Sequence, residues 1–163
     1  MRGEPCPVAD NLEPRVEPCM LQTLEEWVAL RHALWPEGPK EDHRSEAQAM
    51  LWEQKEAIAL LVRLPDGTPA GFAEAALRYD YVNGCATSPV AFLEGIYVQP
   101  EHRGRGLARL LCRAVERWAR SRGCSEFASD VLLDNMASQS MHKALGFEET
   151  ERVVYYRKRL SRS

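Results

Sequence analysis

No stretch of this 163-residue chain approaches 18 consecutive apolar residues, and the first thirty residues lack the basic-then-apolar profile of a signal peptide. Neither a membrane span nor classical secretion is expected. Positive charge is not in excess: 21 Lys and Arg face 24 Asp and Glu, a net charge of −3, so nonspecific nucleic-acid binding is disfavoured. Cysteine pairs at C-x-x-C spacing are missing. Cys6, Cys19, Cys85, Cys112 and Cys124 are odd in number and widely spaced, which fits a reduced cytosol. His32, His43, His102 and His142 are scattered without metal-ligand spacing, so no metal is expected. The length leaves no room for a second catalytic domain.

What is present is the composition of a folding globular chain, 45% hydrophobic and 28% charged. Its charge is uneven. Residues 1–100 hold 8 basic and 16 acidic side chains, giving −8, whereas residues 101–163 hold 13 and 8, giving +5. Such a split suits a site that holds an anionic cofactor beside a cationic substrate, and solvated charged faces produce it equally well.

Residues 1–14 contain three prolines and no periodic apolar face, and they read as a flexible extension ahead of a single domain over 15–163. Arg15 to Leu21 alternates loosely as a strand, after which Thr23 can cap a helix through Leu34 that carries Leu24, Trp27, Val28, Leu30 and Arg31. A second helix is expected from Asp42 to Glu53. Ala57–Leu64 and Ala70–Tyr79 flank the turn Pro65-Asp66-Gly67-Thr68-Pro69 as an antiparallel hairpin, and Pro89–Val98 is a further strand ending at Pro100. Leu107 to Arg120 is the clearest amphipathic helix, with Leu107, Leu110, Leu111, Ala114, Val115 and Trp118 on one face. A short strand over Glu126–Val131, a helix over Asn135–Leu145 stopped by Gly146, and a final strand over Arg152–Leu160 complete a mixed α/β or α+β order.

The most informative segment joins a strand to the long helix: Glu94-Gly95-Ile96-Tyr97-Val98, then Arg103-Gly104-Arg105-Gly106-Leu107-Ala108. Glycines let backbone N–H groups approach a ligand, and the free N–H groups of a helix start carry partial positive charge, so this turn is built for phosphate or pyrophosphate. It has no Gly-Lys-Ser or Gly-Lys-Thr, and Arg109 stands where a dinucleotide G-x-G-x-x-G requires its last glycine. What remains is R-x-x-G-x-A, from Arg103, Gly106 and Ala108. With Asn135 and the later Leu145-Gly146-Phe147, the sequence resembles the GNAT superfamily of acetyl-coenzyme A-dependent N-acetyltransferases over most of residues 15–160. More narrowly, Tyr81-Val82-Asn83-Gly84-Cys85, Phe92 to Val98, Ala128-Ser129-Asp130 and Gly146 to Val154 are similar to the bacterial aminoglycoside 6′-N-acetyltransferases.

The resemblance implies a mostly antiparallel sheet flanked by helices, with a splayed central strand pair at the coenzyme site. It implies acetyl-coenzyme A as cosubstrate, held by Tyr97, Val98, Arg103, Gly104, Arg105, Gly106, Leu107, Ala108, Asn135 and His142, with the Val98 N–H as donor to the thioester oxygen. Glu94, Asp130 and Glu151 would hold a polycationic aminoglycoside, Glu94 or Asp130 would orient or deprotonate the reactive amine, and Trp35 and Tyr81 would pack on the sugar rings. Many members carry a tyrosine four residues before the glycine of Gly146-Phe147 to protonate the leaving thiolate; His142 holds that position here, which leaves the general acid open. Other acceptors (a polyamine, an amino sugar or a protein amine) and a non-catalytic acyl-coenzyme A regulator are the competing readings. The long final strand, with little sequence to cover its edge, predicts a homodimer, and the resemblance places the protein in the bacterial cytoplasm.

Overall fold

The computed structural model describes residues 12–52 and 55–160. The expected flexible extension lies, except for its last three residues, outside the described residues. Five strands form one sheet in chain order: β1 (Arg15–Pro18), β2 (Ala57–Arg63), β3 (Pro69–Arg78), β4 (Val90–Val98) and β5 (Phe127–Ser129). The first three pairings are antiparallel and β4–β5 is parallel, as the helical crossover between those two strands requires. Helices α1 (Leu24–Leu34) and α2 (Lys40–Trp52) precede β2, α3 (Leu107–Ser121) is the crossover, and α4 (Met136–Leu145) follows β5.

Helices on both faces explain why β2 is a nearly continuous apolar run. Its Leu60 and Val62 pack with Ala73, Ile96 and the α3 residues Leu107, Leu111 and Val115, whereas Ala59 and Leu61 pack on the other face with Trp27, Val28 and Leu30 of α1. Leu107, Leu111 and Val115 recur every four residues and are buried, each contributing roughly 1.5–3 kcal/mol of transfer free energy. The hairpin between β2 and β3 forms on the predicted turn: Asp66 accepts the Thr68 N–H at 2.9 Å, and Gly67 takes a φ of +89°.

Three expectations need correction. The first strand ends at Pro18 and gives way to a short 3-10 turn at Leu21–Thr23. Thr23 does stand at the N-cap of α1, but its hydroxyl turns back to Met20, accepting its N–H at 2.9 Å, and makes no cap bond to the helix. The final strand over Arg152–Leu160 is absent: these residues are exposed and without regular structure. A strand exists only through its ladder. The segment pairs with neither edge strand of the sheet, β1 or β5, and β5 offers an edge of only three residues.

Candidate active site

Two features of β4 make the site. Its parallel pairing to β5 stops at Leu93 with Ser129, so from Glu94 onward β4 runs without a neighbour on that side. Its pairing to β3 contains a bulge at the same place: Ala75 lies opposite Leu93 and Glu74 opposite Gly95, leaving Glu94 as the extra residue. The bulge also switches which backbone groups face the gap. The Ala91 N–H turns to β5, bonding the Glu126 carbonyl at 3.2 Å. After the extra residue the alternation is shifted: Gln99 N–H bonds Ala70 of β3, so the N–H of its neighbour Val98, and likewise of Ile96, points into the opening left by β5. The Val98 carbonyl, on the same side, accepts Arg103 Nε at 2.8 Å.

Beyond β4 the turn runs into α3. Gly104 and Gly106 both have φ of +77°, a conformation suited to glycine, and a Cβ at either would meet nothing within 4 Å, so the turn is open to a ligand. Gly106 is the N-cap of α3 and no side chain caps that end. Arg103, Gly104 and Arg105 are exposed, while the Leu107 side chain is a core anchor that fixes the helix start. A positive, uncapped helix end with open glycines fits a pyrophosphate.

A cleft of about 120 Å³ lies in the splay, lined by Trp35, Glu94 and Gly95 on one side and by Ser129, Asp130 and His142 on the other. Asn135 caps α4, its Oδ1 accepting the Ser138 N–H at 3.0 Å. That helix carries His142, whose Nδ1–H donates to the Ser138 carbonyl at 2.8 Å while Nε2 lies 2.9 Å from the Ser129 hydroxyl. A larger cavity of about 460 Å³ opens beside it, sharing Trp35 and Glu94 and adding Arg31, Glu46 and Glu74. Glu94 pairs with Arg78 at 3.0 Å. Tyr81, 75% exposed, and Glu151 line neither cleft; Tyr97 packs with the α1 side of the core and under Arg103.

A strand splayed at a bulge, a glycine turn opening a helix and an acidic cleft between them match a known pattern: the acetyltransferase (GNAT) family profile covers residues 27–147. The chain belongs to the GNAT acetyltransferase family. An aminoglycoside N(6′)-acetyltransferase type 1 of Serratia marcescens is 54% identical over 142 residues, which is 87% of this chain and 97% of that protein. The solved structure of AAC(6′)-Ih from Acinetobacter baumannii superposes with a TM-score of 0.85 at 46% identity, covering 91% of this chain and 99% of that one. That of AAC(6′)-Iy in complex with the bisubstrate analogue CoA-S-monomethyl-acetylneamine gives 0.86 at 45%, with coverage of 91% and 99%.

For a GNAT enzyme the acyl donor is acetyl-coenzyme A, and the turn at Gly104 and Gly106 is open on the side where their side chains would stand. Among the described residues there is no group of three His, Cys, Asp or Glu placed to hold a metal. Sequence reasoning missed Glu74 as part of the site, although a lone carboxylate inside the apolar run Ala70–Leu77 was the signal. It is 2% exposed and accepts hydrogen bonds from Trp27 Nε1 at 2.7 Å and from Arg31 Nη1 at 2.5 and 2.6 Å. Burial raises its pKa, against the opposing pull of Arg31 and Trp27. Removing one member of such a buried pair costs about 3–5 kcal/mol.

Proposed function

We propose that the chain transfers the acetyl group of acetyl-coenzyme A to the 6′-amine of aminoglycoside antibiotics, and thereby confers resistance to them. The observation that carries this reading is the acidic cleft set against the open strand of β4, in a chain about half identical to named aminoglycoside 6′-acetyltransferases. Three carboxylates and one guanidinium among the walls of the larger cavity favour a polycation over a neutral sugar. Acetylation removes a positive charge from the drug, and with it a contact to the phosphates of ribosomal RNA.

A neutral amine attacks the thioester carbonyl directly, the C–S bond breaks as the amide forms, and coenzyme A leaves as its thiol, the proton lost by the amine balancing the one the thiolate gains. Glu94 and Asp130 hold the 6′-ammonium across the splay and accept its proton, directly or through water. The Val98 N–H, aimed into the opening, donates to the oxygen on which negative charge develops. The N–H groups from Arg103 to Ala108 and the charges of Arg103 and Arg105 hold the pyrophosphate. Tyr97, Asn135 and His142 complete the coenzyme side, while Trp35 and Tyr81 pack on the sugar rings and Glu151 takes one of the drug's ammonium groups. A cysteine relay is disfavoured because burial raises the pKa of every described thiol, that of Cys112 to about 12. Those thiols are free, which suits a bacterial cytoplasm.

Thiol release from acetyl-coenzyme A tests the reading, with kanamycin, tobramycin, a 6′-hydroxyl analogue, spermidine and a peptide amine as acceptors. Turnover of the first two and none of the hydroxyl analogue is expected. Preference for spermidine or the peptide would reassign the acceptor, and coenzyme binding without turnover of any amine would mark a regulator.

The chain is also proposed to dimerise through residues 152–160, whose Tyr155 and Tyr156 are 82% and 93% exposed. Light scattering should give twice 18.5 kDa, about 37 kDa. A mass of 18.5 kDa at micromolar concentration would end this part of the proposal.

A further inference from the structure

Between α1 and the sheet, one guanidinium connects the fold's interior to the larger cavity. Arg31 is 5% exposed. Its Nη1 donates to both oxygens of Glu74, which projects from the β3 residue opposite Gly95, beside the Glu94 bulge. Its Nη2 donates to Glu46 of α2, whose side chain is 63% exposed at the cavity. Its carbon centre lies 5.1 Å from the ring centroid of Trp35. That indole is also fixed at its edge by Phe72 and stacked on His43, whose Nε2–H donates to the Trp35 carbonyl at 2.9 Å. Three of the walls of this cavity, Glu46, Glu74 and Trp35, thus meet at one side chain.

We propose that Arg31 is a positioning residue for the acceptor: anchored on buried Glu74, it holds the Trp35 indole against β4 and the Glu46 carboxylate at the cavity mouth, where Glu46 takes a ring amine of the aminoglycoside. This rests on the aminoglycoside reading. The arrangement needs a fork as well as a charge. One nitrogen serves the buried carboxylate, a second serves the exposed one, and the guanidinium carbon lies over the indole, which an ammonium cannot do at once. Because Glu74 cancels the charge of Arg31 from beneath, Arg31 can stand among the walls of a cation-binding cavity without repelling its ligand.

The test uses the full chain labelled with 5-fluorotryptophan, the Trp35 resonance being assigned from a Trp35→Phe variant. In the double variant Arg31→Met/Glu74→Leu, which removes the buried pair together, we expect the Trp35 resonance to move and broaden. We expect the kanamycin KM to rise at least tenfold, with kcat and the acetyl-coenzyme A KM within threefold. Arg31→Lys should keep the charge and fail to restore the kanamycin KM. Glu46→Gln, at an exposed position where folding is not at stake, should raise that KM about threefold or more. A kanamycin KM unchanged in Glu46→Gln, or restored by Arg31→Lys, would overturn the proposal, as would an unmoved Trp35 resonance in the double variant. Kanamycin turnover by the parent protein is measured alongside. Its absence would sink the aminoglycoside reading, whereas the Trp35 resonance reports the positioning with no substrate present.

Discussion

Trp35 occupies the space that a side chain at Gly95 would need. A Cβ at Gly95 would stand 2.6 Å from Cη2 and 2.7 Å from Cζ2 of the indole, and 3.2 Å from Leu34 Cδ2. The glycine therefore lets an aromatic wall of the cleft lie directly on β4, one residue after the bulge. Gly95→Ala is expected to cost about 1–3 kcal/mol by overpacking, read by urea unfolding, and to raise the aminoglycoside KM. Trp35→Leu in that background should recover the stability without recovering the KM. If Gly95→Ala alone leaves both quantities unchanged, the contact has no role in acceptor binding.

Glu94 at the bulge of β4 and Asp130 just past the end of β5 face one cleft, so their loss should fall on the acceptor side of the reaction. Glu94→Gln and Asp130→Asn are each expected to lower kcat/KM for kanamycin by roughly 10²-fold or more, within the range of general-base removal. Acetyl-coenzyme A affinity, measured by calorimetry, should change less than threefold. Equal losses on both sides would place these carboxylates in the fold rather than in the chemistry.

How much of this was legible in the sequence depended on how local the cause was. The helix from Leu107, the hairpin at Asp66-Gly67 and the stop at Gly146 are each dictated by residues within a few positions, and all formed where expected. The bulge at Glu94 is different. It exists only in the pairing of β4 with β3, and no pattern along β4 alone announces that one residue has no opposite number. Arg31 shows the same limit: its place on the apolar face of α1 was visible, but its reason is Glu74, forty-three residues away. The tail failed for the converse reason. The β-branched and aromatic run Val153-Val154-Tyr155-Tyr156 satisfied a strand composition, but a composition without a ladder partner makes no strand.

Gly106 joins the left-handed N-cap of α3 to the open side of the turn. Gly106→Ala meets no steric obstacle, since a Cβ there has nothing within 4 Å, but its φ of +77° disfavours any L side chain by roughly 1–2 kcal/mol. The turn should relax to a different backbone, withdrawing the N–H groups of α3 from the pyrophosphate. The expected result is an acetyl-coenzyme A KM raised about tenfold with the kanamycin KM little changed. A change confined to kanamycin would remove this turn from the coenzyme site.

Glu126 ties the loop after β3 to the start of β5, accepting the Thr87 hydroxyl at 2.5 Å and the N–H groups of Thr87 and Ala86 at 2.7 and 2.9 Å. The Thr87 hydroxyl first, and then the Ala86 N–H, hold its pKa below the ordinary value of 4.5. A carboxylate with a lowered folded pKa stabilises the structure above its unfolded value, and that contribution is lost as pH falls through the folded one. The loop carries Tyr81, which the proposed function sets against the sugar rings, and a Cβ at its Gly84 would stand 2.1 Å from Thr150 Oγ1, so it also seats the segment that leads to Glu151. Amide protection factors at Ala86 and Thr87 should therefore hold from neutral pH down to about 4.5 and fall below it. In Glu126→Gln they should start lower and lose that acid dependence, because the amide oxygen accepts the same bonds without charge and does not titrate in this range. Identical acid profiles in the two proteins would mean that another carboxylate governs the loop.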